Sequence, residues 1–476
     1  MPGSFFGLVE CLAPFVVQAV HWKVDMRVCV VILAAGQGTR MKSSLAKVLH
    51  PLCGKPMVSH AIEAARGVSD ATPILVVGRG ADHVRAVVGE QARYAVQEQR
   101  LGTGHAVLQA RSSLAGESDV VLVTYSDMPL LRTKTLQRLV EHHCRTIPAL
   151  TMLTVVQDDA RGFGRVLRDT SGAVVAIVEE VDATPEQLSI RELNSGTFCF
   201  DADWLWSHLD QIPLSAKGEY YLTDLVGMAV AKGKRVEALA TDDVSDALGI
   251  NTRVHLAEAE AVMRQRINER WMLSGVTIID PATTYIESGV TLGPDTVVCP
   301  NTCLEGKTSI GSECRIGPNT VIRDTTLGNG CIVFASVVEG ARLDDGADVG
   351  PFGHLRKGAH LAAGVHMGNF GEVKNSYLGP GTKMGHFSYV GDTTTGPGVN
   401  IGAGTITCNY DGEHKHRTEI KEGAFIGSDT MLVAPVKVGK GAKTGAGSVV
   451  TRDVPPGSVV VGVPARIRSD DSKEKE

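Results

Sequence analysis

Beyond residue 275 the chain repeats every six residues, and that period leaves few folds open to it. Ile310, Ile316 and Ile322 are six apart, as are Leu343, Val349, Leu355, Leu361, Met367 and Val373. Ile426, Leu432, Val438 and Val450 continue the series, with Thr444 in the place of one aliphatic. Glycine follows many of these positions, as at Gly311, Gly317, Gly350, Gly368, Gly385, Gly402, Gly427, Gly439 and Gly445. Hexapeptide repeats predict a parallel β-helix, three hexads to each triangular coil. The aliphatic points inward and the small residues turn the corner. Each buried aliphatic contributes roughly 1.5–3 kcal/mol before chain entropy is subtracted. Stacking therefore stabilises such a prism without aromatics, which make up only 5% of this chain.

One stretch breaks the period. "NIGAGTITCNYDG" (400–412) passes Ile401 and Gly402, then gives Cys408, Asn409, Tyr410, Asp411 and Gly412. It predicts a loop extruded from its coil and running to about His416. A purely structural coil has no need of it, so chemistry is expected there.

The 476 residues exceed one compact core, so two or more domains are expected. From Arg27 to about residue 250, apolar runs at Val28–Leu33, Ile74–Val77, Val120–Thr124 and Leu150–Val155 alternate with amphipathic stretches such as His60–Arg66. That alternation predicts an α/β sheet of mainly parallel strands. Over 252–272, Leu256, Ala259, Met263, Ile267 and Trp271 form one helical stripe, with Glu258, Arg264, Arg266 and Glu269 between them. The expected organisation is an N-terminal extension (1–25), an α/β domain (26–250), a linker helix (251–273), a β-helix (274–465) and a charged, disordered tail (466–476). Residues 5–22 are apolar, but Glu10, Pro14 and His21 interrupt them. They are short for a membrane span and lack a clear basic flank or cleavage site, so no stable membrane insertion is expected and Met26 is the expected natural start.

A net charge of −6 with 21% charged residues gives no basic excess for nucleic acid. The ten cysteines are scattered without a CxxC pair, as free thiols of a reducing cytoplasm would be.

"LAAGQGTRMKSSLAKVLH" (Leu33–His50) follows a buried strand. Gly36 and Gly38 allow a tight turn whose N–H groups face an anion, and Arg40 and Lys47 add positive charge. The third glycine of a dinucleotide GxGxxG is missing. With its GTRM and downstream lysine, this half resembles the sugar-1-phosphate nucleotidylyltransferases. The resemblance implies Leu33, Ala34, Gly36, Gly38 and Lys47 as nucleotide contacts, with Arg40 and Lys47 catalytic. "QRLGTGHA" (99–106) is similar to the family's uracil-facing segment, implying base contacts from Gln97, Gly102 and Thr103. "TYSDMPL" sets Asp127 at the end of an apolar strand, where α/β sheets place catalytic groups. By the same resemblance Asp127 and Asn251 of "GINTR" hold Mg²⁺, and Gly164, Glu179 and Asn194 bind the sugar. Ala46 stands where the family has proline and Ser126 where it has glycine. Neither removes a charged group, so activity is expected to survive.

The repeat half carries its own polar set: Arg356, Glu372, Lys374, His386, Tyr389, Asn400 and Lys415. A neutral imidazole can take a proton near physiological pH. Glu372 precedes His386 by somewhat less than one coil and is expected, across stacked coils, to orient it. With both motif sets in order over residues 27–455, the chain resembles the bifunctional N-acetylglucosamine-1-phosphate uridylyltransferase/glucosamine-1-phosphate N-acetyltransferase family. That resemblance implies a left-handed β-helix, a homotrimer, a cytoplasmic enzyme and the small-molecule substrates UTP, glucosamine 1-phosphate and acetyl-CoA. It makes His386 the general base and gives glucosamine 1-phosphate to Arg356, Lys374, Tyr389, Asn400 and Lys415, with Lys415 serving a neighbouring subunit. Acetyl-CoA falls to Ala403, Asn409, Tyr410, Ser428 and Ala446, with Asn409 and Tyr410 at the thioester. Gly462 stands where relatives often place a basic residue, with Arg466 and Arg468 nearby. The alternative is a single-function nucleotidylyltransferase with a non-catalytic β-helix; His386, Asn400 and the Asn409–Tyr410 loop argue against it.

Overall fold

The computed structural model describes residues 26–79 and 81–468. The apolar stretch 5–22 and the charged end Ser469–Glu476 lie outside the described residues.

The apolar runs of the first half are the strands Val28–Ala34, Ile74–Gly78, Val120–Tyr125 and Leu150–Val156. The central sheet runs Val236–Ala240, Leu150–Val156, Glu192–Asp201, Val120–Tyr125, Val28–Ala34, Ile74–Gly78, Arg93–Gln97. Only Glu192–Asp201 is antiparallel to its neighbours in this row. Val58, Ala61, Ile62, Leu136 and Leu139 pack on one face, and Val107, Ala110, Leu205, Leu225 and Val226 on the other. The first strand lies between Val120–Tyr125 and Ile74–Gly78, so the connections leave it in opposite directions and open a crevice at its C-terminal end.

Arg253–Leu273 is the linker helix; the Thr252 side chain caps it by accepting the His255 N–H at 3.2 Å. Met263 and Trp271 pack against the core of the prism. The buried Asn268 amide donates to the carbonyls of Pro281 and Thr284, each at 3.1 Å, so the helix covers the otherwise open first coil.

The repeats form a left-handed β-helix of three sheets, with 12, 10 and 9 strands, parallel throughout except at the last strand of the first. Val298, Ile316, Val333, Val349, Met367 and Met384 stack in register up one inner wall. Thr444 replaces an aliphatic without leaving its hydroxyl unpaired, because it accepts the Gly427 N–H at 2.9 Å. The hexad glycine answers to coil spacing: a Cβ on Gly368 would lie 2.0 Å from the Gly385 carbonyl oxygen. The predicted interruption is an extrusion. Asn400 pairs with Phe425, well beyond the length of an ordinary coil, and the loop folds back through a bridge between Tyr410 and Lys415.

One boundary is corrected. The expected disordered tail does not begin at residue 466, because Arg466–Ile467 pairs antiparallel with Val460–Val461. Charge suggested disorder, but the free edge of the last coil gives this segment a ladder to join.

Candidate active sites

The crevice site starts from the turn after the first strand. Gly38 holds φ 65°, and a Cβ there would lie 2.5 Å from Lys47 Cβ. Only glycine lets Lys47 lie against the turn. Ala46 holds φ −55°, within the range that proline imposes, so the departure leaves the approach to Lys47 unchanged. The Lys47 ammonium donates to Asp127 Oδ2 at 2.5 Å and to Asn251 Oδ1 at 2.8 Å. The Ile250 N–H donates to the Asp127 carbonyl at 2.8 Å and ties the two segments. Three residues far apart in sequence thus converge, two hard oxygens on one positive charge. That donor set fits a hard divalent cation completed by water and phosphate oxygens. Ser126 is buried and its hydroxyl donates to the Leu33 carbonyl at 2.9 Å, joining the two central strands. Arg40 is exposed in the turn Thr39–Met41 and is not part of the cavity wall.

A cavity of about 540 Å³ is lined by Leu33, Ala34, Gly36, Lys47, Gln97, Gly102, Thr103 and Asp127. Buried Gln97 donates to the Gly102 carbonyl at 3.0 Å and meets the His105 ring at 3.1 Å, so its amide nitrogen holds the predicted base-contact loop. A second cavity of about 430 Å³ takes in Gly164, Glu179, Asn194 and Asn251, and shares Thr103, Tyr125 and Asp127 with the first. Burial pushes the Glu179 carboxyl above its usual range, although Thr223 donates to it at 3.3 Å. Asn194 Oδ1 accepts the Gly196 N–H at 3.0 Å, at the irregularity in its strand. Sequence reading missed Tyr125, in the wall common to both cavities, where burial pushes its phenol upward. The signal was an aromatic two residues before Asp127. It also missed Arg100, which lines the first cavity and donates through Nε to the Ala35 carbonyl at 2.9 Å.

On the prism, Lys383, Asn400, Phe425, Lys443 and Val459 pair in succession. Three residues past each lie His386, Ala403, Ser428, Ala446 and Gly462. These corners are laced vertically: the Asp429 N–H donates to the Ala403 carbonyl at 2.6 Å, and the Gly447 N–H to Ser428 at 2.8 Å. The predicted base and three predicted acetyl-CoA residues therefore share one edge. His386 is exposed at its foot, and Ala403, Ser428, Ala446 and Gly462 stand above it along the edge.

The cations gather at the other end of the strand Ser388–Gly391. Lys415 beside Lys374 holds the Lys374 ammonium below the usual lysine range, and Arg356 acts in the same direction. The hydroxyl end of Tyr389 lies beside Gly391, which is in register with Lys374, and Asn400 lies on the strand that pairs with Lys383.

One expectation changes here, and three other residues have contacts within the chain. Within one chain Glu372 is not brought to His386: it pairs with Tyr389 in register, and its carboxylate accepts from Arg356 at 2.9 Å. That coil runs from position 372 to position 389, just short of three full hexads, which leaves His386 on the preceding corner. Lys415, turned back by its bridge to Tyr410, stands beside Lys374 of its own chain. Asn409 is buried and donates to Asp392, which also accepts from Asn375, so its amide nitrogen anchors the loop. The exposed Tyr410 hydroxyl bonds the Gly412 carbonyl.

Residues 30–183 match the MobA-like NTP transferase domain, and 307–338 and 418–452 match the hexapeptide repeat of succinyl-transferase. A bifunctional protein GlmU from Heliobacterium modesticaldum is 50% identical over 432 residues, covering 90% of this chain and 94% of the relative. Relatives of the same name from an Exiguobacterium species and from Shouchella clausii are 48% and 44% identical, over 89% and 94% of this chain and 94% and 98% of their own.

Proposed function

Because the chain belongs to the bifunctional GlmU family, we propose that it makes UDP-N-acetylglucosamine in two steps, acetyl transfer and then uridylyl transfer. The convergence of Lys47, Asp127 and Asn251 where two cavities meet carries the reading of the second step.

In the first step the amine of glucosamine 1-phosphate attacks the thioester carbonyl of acetyl-CoA. A C–N bond forms, the C–S bond breaks, and the thiol of coenzyme A leaves. His386 takes the proton that the amine must lose. Arg356, Lys374 and Lys415 take the sugar phosphate, which relieves the repulsion between the two lysines. The small residues above His386 give the extended coenzyme its place. The cation cluster and His386 lie at opposite ends of a four-residue strand, a span of about 13 Å. A hexosamine phosphate is shorter than that. The reading therefore pairs the base edge of one prism with the cation edge of the next, in a homotrimer.

In the second step a phosphate oxygen of N-acetylglucosamine 1-phosphate attacks the α-phosphorus of UTP, and pyrophosphate leaves. Lys47 and Arg40 offset the charge of two anions brought together. Asp127 and Asn251 would hold Mg²⁺, which when bound neutralises phosphate oxygens. Gly164, Glu179 and Asn194 hold the sugar, and Gln97, Gly102 and Thr103 frame the base. Among the described residues no helix is long and apolar enough to cross a membrane. We place the enzyme in the cytoplasm on the free thiols of its described cysteines.

The test supplies glucosamine 1-phosphate, acetyl-CoA, UTP and Mg²⁺, and follows thiol and pyrophosphate together. Release of both supports the reading. Pyrophosphate release from supplied N-acetylglucosamine 1-phosphate, with no thiol release from glucosamine 1-phosphate, would make the β-helix non-catalytic.

A further inference from the structure

The two oxygen donors of the crevice site come from segments with no covalent reason to stay in register. Asp127 follows a sheet strand, and Asn251 precedes the linker helix. A site for a small divalent cation needs its ligands held to within about 0.5 Å. In front, Lys47 and the Ile250 N–H supply that restraint. Behind, two guanidiniums supply it, Arg266 from the linker helix and Arg132 from the end of the Asp127 loop. Arg266, midway along the linker helix, donates through Nη1 to the Leu130 carbonyl at 2.6 Å, on the loop that carries Asp127. Its Nη2 reaches Asp243 at 2.9 Å, Ser245 at 2.6 Å and Asp246 at 3.0 Å, on the segment that leads to Asn251. Asp246 is fully buried and takes a second fork from Arg132, at 2.9 and 3.1 Å, from beyond the Asp127 loop. Both arginines thus bridge the same two segments. Leu130, Ile250 and Ala259 of the helix pack together alongside.

We propose that Arg266 is a positioning residue for the metal pair: from the linker helix it clamps the Asp127 loop to the Asn251 segment and sets the gap between their oxygens. The inference rests on the reading of Asp127 and Asn251 as metal ligands. Arginine suits the task because its planar fork reaches acceptors on both segments at once, which a lysine ammonium cannot do in the same geometry. Residues behind metal ligands typically change metal affinity by about 10–100-fold when removed.

The test measures Mn²⁺ binding to the full-length protein by electron paramagnetic resonance, without and with UTP. Thiol release from glucosamine 1-phosphate and acetyl-CoA serves as a control for the intact prism. Arg266→Met is expected to weaken Mn²⁺ binding by about 10–100-fold while thiol release holds, and Arg266→Lys to fall between it and wild type. The metal activation constant of uridylyl transfer should move with the Mn²⁺ affinity, and the KM for UTP at saturating metal should not. Unchanged Mn²⁺ affinity in Arg266→Met would overturn the proposal. If that variant does not fold, Arg266→Lys decides alone, with wild-type affinity counting against it. Asp127→Asn separates the two levels: if it too binds Mn²⁺ normally, the metal assignment itself fails; if it does not while Arg266→Met does, only the clamp fails.

Discussion

The two candidate sites of this chain are built on opposite principles. The crevice site is recessed within one domain. Its lysine donates directly to both the carboxylate and the amide, and the segments behind them are tied by buried and part-buried hydrogen bonds. The prism site is a surface, with an exposed histidine at the foot of one edge and a cation cluster at the far end of the adjoining strand. A sheet with a topological switch point supplies a cavity within one chain. A β-helix buries its apolar residues on the inside and leaves only edges and faces outside, so it gains a cleft when a second prism is laid against it. The first architecture can complete its site alone; under the proposed reading the second makes assembly part of the chemistry.

The difference can be broken most sharply at the base. His386→Ala should slow acetyl transfer by about 10²–10⁴-fold with uridylyl transfer unchanged, measured as thiol and pyrophosphate release on one preparation. Equal losses in both would mean that the sites are not separate. Lys47→Ala should slow uridylyl transfer by about 10²–10³-fold and spare thiol release. The next contrast is in acid. In the first domain His143 is buried against Thr151 at 3.0 Å, and burial pushes its imidazole down to about 4 from an ordinary 6.5. The unfolded chain therefore binds a proton that the folded domain refuses. The stability is complete above pH 6.5 and is lost as pH falls toward 4, by roughly 3 kcal/mol for this group. On the prism His360 and His366 lie outside the coil beside Asp344 and Asp348, at 2.9 and 2.7 Å. Calorimetry from pH 7 to 4.5 should show the first domain's transition falling with acid, and a His143→Gln variant should flatten that fall. The smallest effect tests a departure: Ala46→Pro should stabilise the first domain by about 0.4–1 kcal/mol with uridylyl transfer intact. A loss of activity there would show that the turn before Lys47 must move.

The legibility of the sequence follows the same division. The prism could be read because a repeated period is local and coil stacking copies it: Val298, Ile316 and Val333 announce one another. What failed was register. His386 follows Glu372 by three residues fewer than the observed coil, so the coil delivers Glu372 to Tyr389, and its carboxylate to Arg356, and leaves His386 on the preceding corner. A slip of this kind re-aims every side chain that follows it. In the crevice, Lys47 lies 80 residues from Asp127 and 204 from Asn251, distances that no local pattern spans. Only the resemblance brought those three together in advance. Arg266 was invisible for a different reason: in sequence it belongs to the polar face of an amphipathic helix, and nothing local distinguishes a guanidinium that crosses two buried segments from one in water. The closing strand Arg466–Ile467 was hidden by the charge around it, because its stability comes from the edge it joins.

The most direct test of two independent sites on one chain is complementation. His386→Ala and Lys47→Ala proteins are supplied, singly and mixed, with glucosamine 1-phosphate, acetyl-CoA, UTP and Mg²⁺, and the products are separated. The account predicts almost no UDP-N-acetylglucosamine from either variant alone, accumulation of N-acetylglucosamine 1-phosphate by Lys47→Ala, and restored synthesis in the mixture. A mixture as inactive as its parts, with no N-acetylated intermediate from Lys47→Ala, would contradict it.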